Sequence, residues 1–476
     1  MKKHIPFFII LFVFLSLQLF KVISDVRPFF DWDEGIYAQV GREMIRAKSY
    51  LVPLWQGKAW LDKPPLPPLV YGIVGMIPVQ PEISMRIVSV LLSGLVLGLL
   101  YTFTFRFSGS VLVSLASVII TSYLAPFLQR TQVLNVDVFL LIGWLGYVLF
   151  YRQLYVGMLF LLIGVLSKSL LGYFPVAMIL LFETYEFFTH KKKRFKNEYF
   201  HFLQVLFFQL FVSSLWFIWM YIQYKDAFIQ YHIVDSHFKR VTSSIEQHFG
   251  QRTFYIDIIV EQFKWFLIPV GASLLVLAYE FFIKKRKEAF FAVLFFPWFI
   301  FLNLTKTKIA WYIYPVLPQF AFLTVYLIRY ISKDWIKIVV TCAVLFYFFK
   351  TVTPINSYLT THYSQVEDHQ LIAQDAKKVG CTDVAILVSS NTRTSYKTLK
   401  SMDLVIHTTT WWGDHPVMAY YADMPTQYYY TVEEFEKQIL PESHSHCLIT
   451  ETADWNGNWG LRILSKNNKF YLGVKP

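Results

Sequence analysis

Cysteine is nearly missing from this chain: it has three in 476 residues and no CxxC pair. Spacing therefore offers neither a disulfide framework nor a thiolate metal site. Cys342 lies in an apolar run, so only Cys381 and Cys447 could pair. Charge is scarce too. Asp, Glu, Lys and Arg make up 16% of the chain against 55% hydrophobic residues, and mean hydropathy is +0.42. A soluble globule is thereby excluded, and repeated apolar runs of span length define a polytopic membrane protein. Acidic residues are the scarcer sign, 32 against 44 basic, for a formal net charge of +12. The excess does not indicate nucleic acid, because the basic residues sit in short runs between apolar segments, where the positive-inside rule puts them. The chain has no internal repeat and no low-complexity linker. No small-x-small cleavage site follows Ile5 to Leu19, which reads as an uncleaved first span with its N-terminus inside.

Further apolar stretches lie near 84–105, 110–128, 134–151, 154–167, 170–188, 200–222, 263–283, 288–304, 309–328 and 335–350. At roughly 20 residues per crossing, they predict about eleven spans. The strongest basic runs, at 190–196, 283–287 and 329–333, then share the N-terminal, cytoplasmic side. The opening loop, the loop from Gln223 to Gln262 and the C-terminal tail fall on the extracytoplasmic side, of a bacterial plasma membrane in this reading. The expected organisation is an all-α polytopic membrane domain over 1–350, with its first loop at 25–83, followed by a small soluble α/β domain over 351–476. In that tail QLIAQDAKKVG and VEEFEKQIL read as helices, and VAILVSS, LVIHTTT and HCLITET as strands.

Against this scarcity of charge, the first loop carries Asp31, Asp33, Glu34, Arg42, Glu43, Asp62 and Lys63. Packing in hydrocarbon does not need them. Ile36, Tyr37, Val40, Met44 and Ile45 give an amphipathic helix, expected to lie on the membrane surface with Asp33 and Glu34 in its first turn. Tyr50 to Lys63 reads as an extended link, and Pro64, Pro65, Pro67 and Pro68 stiffen the chain where it becomes apolar again.

Four lysines, Lys63, Lys168, Lys306 and Lys308, land on the extracytoplasmic face against the positive-inside bias. A lysine at a span end is ordinarily a snorkelling anchor. Four on one face, opposite an acidic loop, point to a cavity for an anionic group such as a lipid phosphate, and Arg86 belongs to the same set. Asp137, at the mouth of an apolar run, is either interfacial or paired with a cation. The loop after Gln223 holds His232, His237 and His248 with Asp235, Asp257 and Glu261. Its spacing is not that of a zinc motif, but together with Asp62 a divalent site is chemically reasonable.

DEGIYAQVGREM (33–44) followed by WLDKPPLPPLVY (60–71) resembles the paired first-loop motif of bacterial lipid A aminoarabinose transferases and their protein O-mannosyltransferase-like relatives, members of the GT-C superfamily of glycosyltransferases. NVDVFLL (135–141), LSKSLLGYFP (166–175), HFKR with QHFGQRTFYI (237–256) and TKTKIAWYIYPVLP (305–318) resemble later family segments in the same order. The resemblance implies a GT-C membrane fold and inverting transfer from a polyprenyl-phosphate sugar to a lipid, glycan or protein acceptor. Within the matched motif, Asp33 is implied as the catalytic carboxylate, Asp62 as an acidic metal ligand and Lys63 as the lysine facing the donor phosphate. Glu34 either backs up Asp33 or complements the helix dipole, and Tyr37 is the motif tyrosine. Asp62 replaces the commoner Glu, Ile36 stands where the aminoarabinose transferases carry Arg, and Leu171-Gly172 interrupts the Gly-Pro pair. A transporter or flippase of lipid-linked sugars is the rival reading. It predicts two related halves and polar groups near the midplane, whereas this chain concentrates its charges in loops on one face.

Overall fold

The structure is a computed structural model that describes residues 2–189, 193–352, 366–439 and 446–475. The chain divides into two compact units, one formed by 1–25, 86–225 and 250–356, the other by 26–85, 226–249 and 357–476.

The first unit is helical. Its opening helix, Ile5–Ser24, buries Phe7, Phe14 and Val22 and turns Phe12 and Phe20, 70% and 71% exposed, outward. An apolar outer face of this kind is solvated by lipid. Among the described residues six helical stretches are long and apolar enough to cross a membrane: Lys2–Ser24, Pro81–Ser108, Leu154–Thr189, Lys196–Thr242, Phe254–Phe282 and Ala310–Tyr330. A seventh is reached if Val111–Tyr123 and Ala125–Thr131, bent by 72° against each other, form one broken span. The protein is thus an integral membrane protein, but among the described residues the eleven full-length spans expected from hydropathy are not found. Asp137–Phe150 has only 14 residues, the 288–304 run is split into Lys287–Ala292 and Phe296–Leu304, and Asp334–Thr351 carries Asp334, Lys337 and Lys350.

The stretch Leu154–Thr189 folds back on itself. Ser169 takes φ 54°, a Cβ on Gly172 would meet the Val165 nitrogen at 2.4 Å, and Arg152 and Tyr151 both reach Glu183 Oε1 at 2.6 Å. The two arms, Leu154–Lys168 and Phe174–Thr189, have 15 and 16 residues. At about 1.5 Å per residue each falls short of a roughly 30 Å hydrocarbon core.

The second unit contains the first loop, residues 226–249 and the C-terminal segment. The first-loop helix runs Asp33–Arg46, as its periodicity requires, but it does not lie on a surface. It packs against the helix Leu66–Val74 on one side and Val417–Ala422 on another, and residues Glu34 to Gly41 are all buried. The first of these crossings needs glycine on both sides: a Cβ on Gly41 would meet the Pro68 carbonyl oxygen at 2.3 Å, and one on Gly72 the Gly41 carbonyl oxygen at 2.3 Å. The expected extended link contains a tight hairpin, β1 (Leu54–Trp55) and β2 (Lys58–Ala59), turned at Gln56 and Gly57 with φ 50° and 73°. Glu43 accepts both backbone N–H groups of that turn, at 2.9 and 3.0 Å.

The C-terminal segment forms a five-stranded sheet of β3 (Val384–Leu387), β4 (Thr426–Tyr429), β5 (Cys447–Glu451), β6 (Arg462–Lys466) and β7 (Phe470–Val474), in the order β4-β3-β5-β7-β6. β3 runs parallel to both β4 and β5, and β7 antiparallel to β5 and β6. Leu387, Tyr429, Phe435 and Leu448 form its core beneath Val432–Ile439. Cys381 and Cys447 are joined by a disulfide. The run LVIHTTT, expected as a strand, is instead a turn that ends in a short 3-10 segment, Thr409–Trp411, because its side chains are engaged elsewhere.

Candidate functional site

In the second unit Asp33 opens its helix after a strained residue: Trp32 has φ 66° and ψ −111°, which L side chains rarely adopt. The turn persists because it is held from several sides. Glu34, 1% exposed, accepts the Phe30 backbone N–H at 2.9 Å, so it secures the turn rather than facing solvent. Phe29 donates its N–H to the Tyr421 hydroxyl at 2.9 Å and accepts from Gln370 Nε2 at 2.9 Å. Asp31 accepts from His415 Nδ1 at 2.7 Å and from the Val417 backbone N–H at 3.3 Å, and its Oδ2 lies 3.0 Å from His369 Nε2. Burial would raise the Asp31 carboxyl, but the two histidines outweigh it and bring it down to about 2. His415 is pushed above its ordinary value by Asp31 in spite of burial. Asp33 itself is half-buried and acts electrostatically on His248, whose pKa burial and Arg240 lower against Glu246 and Asp33. Tyr37 is 2% exposed and packs on Trp60, with ring centroids 6.3 Å apart.

Asp62 sits in an aromatic pocket. Its Oδ2 accepts from Trp60 Nε1 at 3.0 Å and from the Thr408 hydroxyl at 2.6 Å, while Oδ1 is buried without a hydrogen bond. His407 Nδ1 is 3.8 Å from that free oxygen and 3.9 Å from Asp235 Oδ2, and neither ring nitrogen has a hydrogen bond. The ring stacks on Tyr231 at 3.7 Å. Burial, against both carboxylates, holds His407 below its ordinary pKa, toward the neutral form that can ligate a cation. His237 is not drawn into this group: its Nδ1 is 2.7 Å from the His232 carbonyl within the wide helix Ile229–Lys239. Asp62, His237 and His248 therefore do not form the cluster expected of them. Among the described residues the carboxylate-histidine group with mutually adjacent ligand atoms is Asp31, His369 and His415. Lys63, next to Asp62, is half-buried and makes no hydrogen bond or ion pair among the described residues.

The remaining sequence candidates lie in the helical unit. Asp137, 1% exposed, pairs with Lys168 at 2.5 Å and Arg130 at 3.7 Å, and these cations lie over the rings of Tyr312 and Trp311 at 4.4 and 4.3 Å. Lys308 donates to the carbonyls of Leu302 and Asn303 at 2.9 and 3.0 Å, capping the helix Phe296–Leu304. Arg86 is buried in the helix Pro81–Ser108, and Lys306 is exposed.

Sequence reasoning missed His407, His369 and His415. The signal for His407 and His415 was present in HTTTWWGDHP (407–416), where histidines, tryptophans and an aspartate crowd together without strand alternation, whereas His369 stands alone in a helical pattern.

Residues 62–219 match the model of the dolichyl-phosphate-mannose-protein mannosyltransferase family. A protein of Aquifex aeolicus (strain VF5), itself uncharacterized, is 24% identical over 313 residues, and the match covers 61% of this chain and 58% of that relative's length. Among solved structures, ArnT from Cupriavidus metallidurans superposes with TM-score 0.70 in its apo state and 0.67 bound to undecaprenyl phosphate, at 12% and 13% identity and over 98% of both chains. The oligosaccharyltransferase of Archaeoglobus fulgidus, in complex with Zn and sulfate, superposes with TM-score 0.60 at 10% identity, over 93% of this chain and 68% of that one. The architecture is similar to that of these membrane proteins, with a helix-borne carboxylate in the first loop of this chain. The chain thus shares the fold of ArnT, and a third of it, residues 62–219, is similar to the protein mannosyltransferases.

Proposed function

We propose that the protein is an inverting glycosyltransferase that moves a sugar from a polyprenyl-phosphate donor to an acceptor on the extracytoplasmic face of the membrane. The observation that carries this reading is Lys63, a half-buried ammonium without a counter-charge among the described residues. A desolvated cation is costly unless an anion meets it, and a donor phosphate supplies one through charge-assisted hydrogen bonds. The likeness to an ArnT that binds undecaprenyl phosphate supports the same ligand class.

Asp33 accepts the proton of an acceptor hydroxyl as its oxygen attacks the anomeric carbon from the face opposite the phosphate. The bond between anomeric carbon and phosphate oxygen breaks with inversion, and Lys63 stabilises the charge on the departing phosphate. Where the acceptor is itself ionised, Asp33 only positions it. In the helical unit Lys168 is held by Asp137, and Lys308 by the Leu302 and Asn303 carbonyls. Asp62 Oδ1, His407 Nδ1 and Asp235 fit a divalent cation better than the loop histidines do, since two bonds of about 2.0–2.2 Å span the 3.8 Å between Asp62 and His407. Such an ion would supply further positive charge toward the phosphate.

The test is the affinity of the detergent-solubilised protein for undecaprenyl phosphate. Lys63→Ala removes a partner worth about 2 kcal/mol or more, so binding weakens by over tenfold. Lys333→Ala, in a basic run of the other unit, leaves it unchanged. Equal affinity in the two variants removes the phosphate assignment.

A further inference from the structure

Asp31, His369 and His415 are far apart in sequence, yet Asp31 Oδ2, His369 Nε2 and His415 Nδ1 all lie within 4.8 Å of one another. None of the three belongs to the Asp62 pocket. His369 projects from the helix Asp368–Lys378, and His415 precedes Val417–Ala422. The two hydrogen-bond inventories of this group differ in a telling way. Asp31 and His415 satisfy each other at 2.7 Å. His369, with its side chain 4% exposed, brings Nε2 to 3.0 Å from the same carboxylate oxygen but off the direction of a hydrogen bond, leaving that nitrogen buried and unsatisfied. A buried, unpaired imidazole nitrogen aimed at a carboxylate oxygen needs either a proton it cannot direct or an ion.

We propose that Asp31, His369 and His415 bind a divalent transition cation of the zinc type. Two imidazole nitrogens and one carboxylate oxygen suit zinc, cobalt or nickel, whereas magnesium and calcium prefer oxygen donors throughout. The outer partners are those of a metal-bound histidine. Glu367 Oε2 is 3.3 Å from His369 Nδ1, which leaves Nε2 as the ligating nitrogen, and the Val417 N–H holds the second oxygen of Asp31. His415, 29% exposed, leaves an entry route and a fourth position for water. The two rings now stack with centroids 3.8 Å apart at 6°. Tetrahedral bonds of about 2.0–2.1 Å set ligand atoms roughly 3.3 Å apart. Loading therefore moves the nitrogens outward by a few tenths of an ångström and tilts the rings out of parallel. The bound ion would staple the residue two before Asp33 to two segments of the C-terminal sequence.

The test is cobalt(II) titration of full-length protein in detergent after chelator dialysis, read by the visible bands of tetrahedral cobalt, which require no activity. His407→Ala removes the Asp62 pocket as a source of signal. In that background one equivalent of cobalt(II) binds with an imidazole-type spectrum and is displaced by zinc. Adding His415→Gln, the most exposed of the three ligands, or His369→Gln weakens binding by more than tenfold, with circular dichroism of each variant confirming the fold. X-ray absorption on the zinc form reports two imidazole ligands in the parent and fewer in each variant. A parent that takes up no cobalt, or cobalt affinity and imidazole count unchanged in folded His415→Gln, overturns the proposal.

Discussion

Adjacent carboxylates meet different fates at the start of the first-loop helix. Glu34 spends its charge on the Phe30 N–H, whereas Asp33 stays half-buried beside the strained Trp32. Glu34→Gln therefore lowers stability by about 1–3 kcal/mol, measured by thermal unfolding, because it weakens a buried charge-assisted bond. Asp33→Asn leaves the melting temperature nearly unchanged but lowers transfer by about 10²–10⁴-fold if Asp33 is the base. Equal turnover in Asp33→Asn and wild type leaves Asp33 only its place at a helix start. A second residue-scale expectation concerns Asp423, held by Arg46 at 2.6 Å, Lys377 at 2.8 Å and Arg42 at 2.9 Å. Burial opposes its ionisation, but these cations prevail and lower its pKa from 3.8 to about 2. The folded pKa is depressed, so the stability it contributes is fully present above pH 3.8 and disappears as pH falls through about 2. The stability gap between wild type and Asp423→Asn, followed by denaturant unfolding, should stay constant near neutrality and close on acidification through that window. Asp33, Asp62 and Lys63 stand out as candidates in the sequence because one motif carries them. The role of Asp31 was not, since its hydrogen-bond partner His415 lies 384 residues away.

At the scale of elements, periodicity located the helix Asp33–Arg46 but not its surroundings. An amphipathic pattern shows that one face is buried, not whether lipid or protein covers it. Gly41 and Gly72 decide the matter by letting two backbones touch. Gly41→Val drives a Cβ into the Pro68 carbonyl and costs about 3 kcal/mol. Gly57→Ala, at φ 73° with open space around it, costs about 1 kcal/mol from backbone conformation alone. Similar melting temperatures for the two would mean that the helix crossing is looser than its geometry. The strands followed a comparable rule. VAILVSS and HCLITET, apolar and central, were legible as β3 and β5, whereas β6 is largely polar and half-exposed and its pairing with β7 gave no alternation to follow. LVIHTTT failed as a strand because Thr408 donates to Asp62 and His407 stacks on Tyr231, tertiary demands that outweigh β-branched propensity.

At the scale of the whole molecule, hydropathy measures how much apolar chain there is but not where it turns, which is why Leu154–Thr189 and the split 287–304 segment defeat a count of spans. Within the helical unit Arg152 pairs with Glu183, Lys287 with Glu186 and Arg286 with Glu280, while Arg329 bonds Tyr326 and the Phe107 carbonyl. These contacts gather the ends of several helices with two of the basic runs at one end of the unit, which the positive-inside rule predicts to be the cytoplasmic one. The Cys381–Cys447 disulfide gives an independent indication, since such bonds persist in oxidising compartments and not in the cytosol. Both considerations predict that a reporter active only outside the cytoplasm is silent when fused after Lys285 and active when fused after Lys350. In intact cells a membrane-impermeant maleimide should label Cys381 and Cys447 only after an impermeant reductant has opened them. Labelling that requires permeabilised cells would place the sheet in the cytoplasm, and with it the first-loop carboxylates on the wrong face for an extracytoplasmic acceptor.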